Sequence, residues 1–311
     1  MSLLPAFGSS GDLLADRRYA YAKGAFDEGD YPVAADLARQ AIELAPQFAA
    51  AWALLGRALL PSGERAEAVE ALTRALALDP DDPMGLRVDL AHLGALPPEN
   101  AVTGSYVRAL FDDYAPRFEK HLLKSLHYRG PELIADALRR ASFRRLQGFR
   151  FRRVLDLGCG TGLMARALEG SAGAIEGVDL SGRMLAQAKR THLYDALHES
   201  DLVAFLQSCD AASADLVVAA DVFVYMAALD AAFREAHRVL ERGGFLAFTV
   251  QAHEGEGYAL GEDSRFAHGE PYLRALAAAS GFEIVLFEPV STREDRGEPV
   301  PGFVIVLGRA A

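Results

Sequence analysis

The run VLDLGCGTG, Val154 to Gly162, constrains this chain more than any other stretch of it. Val154, Leu155 and Leu157 read as a short buried strand, interrupted near its carboxyl end by Asp156. Gly158, Gly160 and Gly162 then recur at every second position. Glycines spaced this way suit a tight strand-to-helix turn, where the backbone must approach a ligand closely. The pattern is G-x-G-x-G, and Leu163 stands where a dinucleotide fingerprint would need its last glycine. Asp156, just ahead of the turn, suits a ligand with an ammonium group and suits a pyrophosphate poorly. Asp179 closes the next strand candidate, where an acidic residue accepts hydrogen bonds from both ribose hydroxyls. Such charged bonds contribute roughly 1.5–3 kcal/mol each.

Around this turn the sequence alternates strand-like and helix-like segments. Strand candidates are Val154–Leu157, Ala174–Val178, Leu216–Ala219, Gly244–Gln251, Phe282–Pro289 and Phe303–Leu307. Helix candidates are Gly162–Gly170, Gly182–Arg190, Ala231–Glu241 and Tyr272–Ser280. The alternation predicts an α/β domain with a parallel sheet covered on both faces. Its ligand should lie outside the carboxyl ends of the strands, at the topological switch point.

VLDLGCGTG followed by GVDLS resembles the first two motifs of class I S-adenosylmethionine-dependent methyltransferases, and the likeness spans about Arg152 to Arg309. It implies a Rossmann-like seven-stranded sheet with S-adenosylmethionine as cofactor. Asp156 and the turn Gly158–Cys159–Gly160 to Gly162 would then hold the methionine part, and Asp179 the ribose. Leu180 and Met184 would lie on the adenine, with Met184 in SGRMLAQAKR, which resembles the family's helix after the second strand. Asp201 and Leu202 would read the adenine amino group; Asp201 also suits a helix N-cap. Asp221, Val222 and Tyr225, after the fourth strand, would face the methyl group and the acceptor. LERGGFLAFTV (Leu240–Val250) resembles the turn and fifth strand, with Arg242 in place of a proline. The last two strand candidates resemble the closing hairpin.

The first part of the chain repeats itself at about 34 residues, the tetratricopeptide period. One unit runs from Ala15 to Phe48, with Tyr21, Ala22, Ala25, Gly29, Ala34, Ala41 and Pro46 at matching places. The next runs from Ala49 to Asp82, with Trp52, Leu55, Gly56, Leu59, Gly63, Ala68, Ala75 and Pro80. Small residues let paired helices approach, glycines turn the chain, and prolines stop the second helix. The segment resembles the tetratricopeptide family and implies an all-α domain. Two repeats are fewer than such arrays usually need, so a third helix, Met84–Ala95, is expected to cap them. Pro97 and Pro98 mark a boundary. The expected domains are therefore 1–97 (repeats), 98–150 (helical lid or linker) and 151–311 (methyltransferase). The repeats together with Tyr106–Ile134, Tyr194–Leu206 and Arg265–Phe282 resemble predicted methyltransferases that carry tetratricopeptide repeats. The repeats could bind a protein partner, mediate self-association or serve as a structural lid.

Composition excludes several classes. A net charge of −11 repels phosphate backbones, so no nucleic-acid partner is expected. The cluster Arg139, Arg140, Arg144, Arg145, Arg150, Arg152 and Arg153 is a local exception, either a solvated helix end or an anion patch. AADVFVYM lacks the Asp/Asn-Pro-Pro-aromatic motif of nucleobase amino methyltransferases. Two cysteines, Cys159 and Cys209, are too few for a disulfide framework or a cysteine zinc site, and no catalytic metal is expected. Met1–Leu14 lacks a basic stretch before an apolar one, and no run of about 18 apolar residues occurs; a cytoplasmic protein without a membrane span is expected.

The donor's sulfonium leaves the enzyme mainly alignment and water exclusion to supply. A base is needed only where the acceptor must lose a proton. Phe111, Tyr114 and Phe118 recur at helical spacing, as a lid or as core packing. Tyr114 is the candidate to meet the methionine carboxylate, with Tyr106 and Arg129 as weaker ones. His268 is the first candidate for a proton acceptor and His253 the second, and Tyr225 is a second catalytic candidate. A small-molecule oxygen, nitrogen or sulfur acceptor is expected. The alternatives are a polypeptide recruited through the repeats and a non-enzymatic adaptor that senses the cofactor.

Overall fold

The computed structural model describes residues 8–295 and 297–310, leaving aside the side chains of residues 123–125. Residues 1–7 of the Met1–Leu14 stretch considered above lie outside the described residues. The chain divides into two compact units, Met1–Leu110 and Phe111–Ala311.

In the first unit, α1 (Leu13–Glu28) and α2 (Tyr31–Leu44) form one hairpin, and α3 (Ala49–Leu59) and α4 (Arg65–Leu78) the next. Asp12 caps α1 by accepting from the Leu14 and Ala15 N–H groups at 2.7 and 3.0 Å. Gly29 and Gly63 take positive φ of 83° and 78° in the turns. Close approach explains Gly56: a Cβ there would lie 2.6 Å from Leu72 Cγ. Ala22, Ala34, Ala38, Ala41, Ala68 and Ala75 are all wholly buried in this core. Tyr21, aligned with the repeat pattern, is 59% exposed; Tyr19 supplies the packed ring, against Phe48 at 4.9 Å. The capping helix is present but shorter than expected, as α5 (Leu86–His92). It begins where the buried Asp82 accepts from Leu86 and Arg87 N–H at 2.6 and 3.0 Å. After a 3₁₀ turn at Pro98–Asn100, α6 (Gly104–Tyr114) begins.

The second unit opens with the end of α6, a 3₁₀ turn at Ala115–Arg117, α7 (Phe118–Ser125) and α8 (Gly130–Arg144). Then come β1 (Phe151–Leu157), α9 (Leu163–Ala167), β2 (Ala172–Asp179), α10 (Gly182–Lys189), β3 (Ala196–Glu199), α11 (Leu202–Ser208) and β4 (Ala214–Ala219). The chain finishes with α12 (Asp230–Val239), β5 (Leu240–His253), β6 (Tyr258–Leu260), β7 (Phe266–Gly269), α13 (Glu270–Ala279), β8 (Phe282–Asp295) and β9 (Glu298–Arg309). β3, β2, β1, β4 and β5 lie side by side and parallel. β9 runs antiparallel to β5, and β8 antiparallel to β9. These are the seven strands the motif resemblance implied. A short addition widens the sheet to nine: β7 pairs with the last residues of β5, and β6 with β7.

Alternation along the strands builds two cores. Leu155, Val217, Leu246 and Ile305 face one side, under Phe205 of α11, Phe233 of α12 and Leu273 of α13. Val154, Leu216, Phe245 and Val304 face the other, under Ile134 and Leu138 of α8 and Met164 of α9. The arginine cluster is a brace here. Arg140 pairs with Glu288, Arg145 with Glu283 and Arg153 with Glu176, at 2.6–2.8 Å. Arg139 pairs with Asp136 within α8, Arg144 donates to the Val285 carbonyl, and Arg152 pairs with Glu241. Among the described residues, no helix is long and apolar enough to cross a membrane.

Candidate active site

The glycine turn lies at the carboxyl end of β1, between β2 and β4, where the strand order reverses. Gly158, Gly160 and Gly162 take φ of 60°, 54° and 95°, which side chains rarely tolerate. A Cβ on Gly158 would come within 2.5 Å of Val222 Cγ2, so the turn lies tight against the segment after β4. Gly160 differs: the nearest atom to a Cβ there would be Phe118 Cε1 at 3.9 Å, so space opens in front of the turn.

Asp179 ties this turn to the end of β2. Its Oδ2 accepts from Gly160 N–H at 2.9 Å and its Oδ1 from Ser181 N–H at 2.8 Å. The Leu180 N–H also bonds to this carboxylate, and since a carboxylate has about four acceptor positions, some capacity remains. Burial raises its pKa, against the lowering effect of these backbone bonds. Ser181 caps α10 and donates its hydroxyl to Asp112 Oδ1 at 2.6 Å. Leu180 is half-buried, and Met184 is wholly buried. Asp201 is exposed and caps α11, its Oδ1 accepting from Val203 and Ala204 N–H at 2.8 and 3.0 Å; Leu202 begins that helix.

Asp156, expected to face an ammonium group, lies buried at the end of β1. It is 1% exposed and accepts the Tyr194 hydroxyl at 2.6 Å. Burial pushes its pKa up to about 7, despite the lowering effect of that hydrogen bond. Tyr194 fits beneath the turn because Gly177 and Gly162 lack side chains; Cβ atoms there would lie 2.8 and 3.1 Å from its ring. The sequence reading gave Tyr194 no role, since one tyrosine ahead of an unrecognised strand carries no signal. Cys159 is 5% exposed, and burial raises its thiol pKa well above the ordinary range. Its contribution is the backbone: its N–H donates to the Val178 carbonyl at 3.0 Å.

An aromatic roof stands over the turn. Phe111, Tyr114 and Phe118 touch edge to face, and Phe111 meets Tyr225 at 5.4 Å. The roof is pinned to α10 through Asp112–Ser181 and through Gln187, which donates to the Ala115 carbonyl. The Tyr114 hydroxyl is engaged with His121 Nδ1. Arg129 donates its backbone N–H to the Thr292 carbonyl and pairs through its exposed side chain with Glu132.

Asp221 follows β4 with φ of 60°, an uncommon conformation for a residue with a side chain. Its carboxylate pairs with Arg265 at 3.0 Å and lies 3.6 Å from Arg293. Arg265 lies over the Tyr225 ring, 5.4 Å from its centroid. Both arginines escaped the sequence reading. His268, expected as a proton acceptor, is wholly buried, with Nε2 3.1 Å from the Met226 and Ala227 carbonyls. Burial pushes its pKa down to about 4 against the raising effect of those two carbonyls. This buried imidazole, with Nε2 against two backbone carbonyls, braces the loop after β4. Among the described residues, no group of three His, Cys, Asp or Glu side chains could hold a metal ion.

Comparison with known proteins agrees with this geometry. Residues 155–248 match the methyltransferase domain family and residues 25–88 the tetratricopeptide repeat. A malonyl-[acyl-carrier protein] O-methyltransferase from Enterobacter lignolyticus (strain SCF1) is 36% identical over 146 residues, 47% of this chain and 53% of the relative. The chain thus matches about half the length of that curated relative. Magnesium protoporphyrin IX methyltransferase from Synechocystis PCC 6803, solved with bound S-adenosylhomocysteine, shares the fold at TM-score 0.51 and 16% identity, over 67% of this chain and 99% of that one. A Burkholderia thailandensis 1,6-didemethyltoxoflavin-N1-methyltransferase superposes at TM-score 0.49 and 17% identity, over 66% and 89%. The chain thus carries a methyltransferase domain with the Rossmann-like fold of S-adenosylmethionine-dependent methyltransferases, and tetratricopeptide repeats ahead of it.

Proposed function

We propose that this protein transfers a methyl group from S-adenosylmethionine to oxygen, nitrogen or sulfur of a small molecule. The observation that carries the reading is the open cradle at Gly160, with Asp179 behind it and Phe118 across it. In this reading the backbone of Gly158–Gly162 receives the methionine part, and the spare acceptor positions of Asp179 take the ribose hydroxyls. Leu180, Met184, Asp201 and Leu202 form the adenine end, and Tyr114 is the roof residue nearest the methionine carboxylate. Asp156 acts as a positioning residue, holding Tyr194 under the turn. When bound, the cofactor supplies an electrophilic methyl on a sulfonium sulfur.

The chain's own residues then have two tasks. Phe111, Tyr114 and Phe118 exclude water from the turn, which strengthens every polar contact inside. Tyr225, between Phe111 and Arg265, orients the acceptor in line with the methyl group. With His268 sealed, an acceptor that arrives already ionised suits this site best, since it needs no base. The aromatic enclosure beside Asp221 supports a small acceptor, and the curated relative is an O-methyltransferase by name. A polypeptide acceptor is the second reading, favoured by the exposed Leu13, Leu14, Tyr21, Val33 and Leu44 of the first repeat.

Tritiated-methyl transfer into a cell extract, split into protein and small-molecule fractions, separates the readings. Label is expected among the small molecules. Label confined to protein would overturn the small-molecule assignment in favour of the second reading.

A further inference from the structure

Two guanidinium groups beside Asp221 carry no role in the reading of the cofactor site given above. Arg265 is 19% exposed in its side chain and pairs with Asp221 at 3.0 Å. Arg293 is 5% exposed; its Nη2 lies 3.0 Å from Asp263, and its Nη1 lies 3.6 Å from Asp221. That Nη1 is buried without a hydrogen-bond partner among the described residues. Asp263 is the more exposed of the two carboxylates, at 36%, and also accepts from Gln251 Nε2 at 2.9 Å. Water screens Asp263 more than Asp221, so the pairing of the two cations is weaker on the Asp263 side than in the drier interior. A buried N–H that lacks an acceptor is costly, and native proteins rarely leave one unless something fills it.

The place matters as much as the charge. Val222, next in the chain to Asp221, is the side chain that abuts Gly158, so these guanidiniums stand beside the cofactor turn. Tyr225 lies under Arg265 and against Phe111, which gives the same spot an apolar wall. Arginine is the side chain whose planar fork matches a carboxylate with two parallel hydrogen bonds.

We propose that Arg293 and Arg265 form an anion subsite, and that the methyl acceptor is a carboxylic acid with an apolar body. Its carboxylate supplies the missing acceptor for Arg293 Nη1 and shares Arg265, while its apolar part lies along Tyr225 and Phe111. The inference rests on the methyl-transfer reading above and names the substrate class for that same cleft.

The test is calorimetry on the full chain, first with S-adenosylhomocysteine and then, with that compound saturating, with 3-phenylpropionate and hexanoate against their primary amides. The acids are expected to bind about tenfold more tightly than the amides, the size of one good charge-assisted contact. Arg293→Gln should erase that preference and Arg293→Lys should keep part of it, while Arg140→Gln, in the α8 brace, should leave it intact. If Arg293→Gln fails to fold by circular dichroism, Arg265→Gln is read in the same way. Equal binding of acid and amide by the wild type overturns the subsite, as does a full preference in the folded glutamine variant. Absence of S-adenosylhomocysteine binding would instead sink the methyl-transfer reading.

Discussion

The repeat unit and the methyltransferase unit bury different things. Among the described residues of the first, Asp82 alone is a buried polar or charged side chain, and it caps a helix. The rest of that core is mostly alanine and leucine at helical spacing, with Ile42, Phe48 and Met84. The second unit buries Asp156, Thr249, Gln251, His268 and Arg293, all near the carboxyl ends of its strands. Burying such groups is unfavourable unless each finds a partner or a ligand. Shape alone therefore accounts for the first core, while the second gives up stability where its chemistry is done.

Three substitutions press on this contrast, from the largest effect to the smallest. Leu72→Ala, in the repeat core, should cost about 2–5 kcal/mol by leaving a cavity, read from denaturant unfolding of the full chain. A cost well below that range would mean the repeat core is not tightly packed. Gly158→Ala should cost about 1–3 kcal/mol, because its Cβ meets Val222 in a left-handed turn. It should also lower S-adenosylhomocysteine affinity by more than its effect on stability explains.

Asp156→Asn sharpens the contrast through pH. The folded carboxyl titrates near 7, above an unfolded value of about 3.9. Between those values the folded chain holds a proton that the unfolded chain has released. The Asp156 contribution is thus fully present below about pH 4 and is lost as pH rises to about 7. Asparagine does not titrate, so the variant should gain on the wild type by about 2–3 kcal/mol between pH 5 and pH 8. A constant difference across that range would mean Asp156 is charged in the fold.

The contrast also explains what the sequence disclosed. The repeat period and the glycine turn are local patterns, and both are where the spacing placed them. β3 was legible only through the family resemblance, which implies a third strand ahead of Asp201, because it is a four-residue edge strand, half-buried along most of its length. β6 and β7 escaped because they are short and join the sheet only at the end of β5. The burial of Asp156 and His268 is something that spacing does not report. Arg293 sits in STREDRGEP, a charged run that reads as a solvated turn. Only the return of β8 beside β9 carries it under Asp221 and makes it a buried cation.

The central claim is that the glycine turn and Asp179 hold the nucleoside of the cofactor. Calorimetric titration of S-adenosylhomocysteine into the wild type and Asp179→Ala tests it most directly. The wild type should bind in the micromolar range, about −8 kcal/mol, and the variant should lose most of the heat. Unchanged binding by the variant would contradict the account.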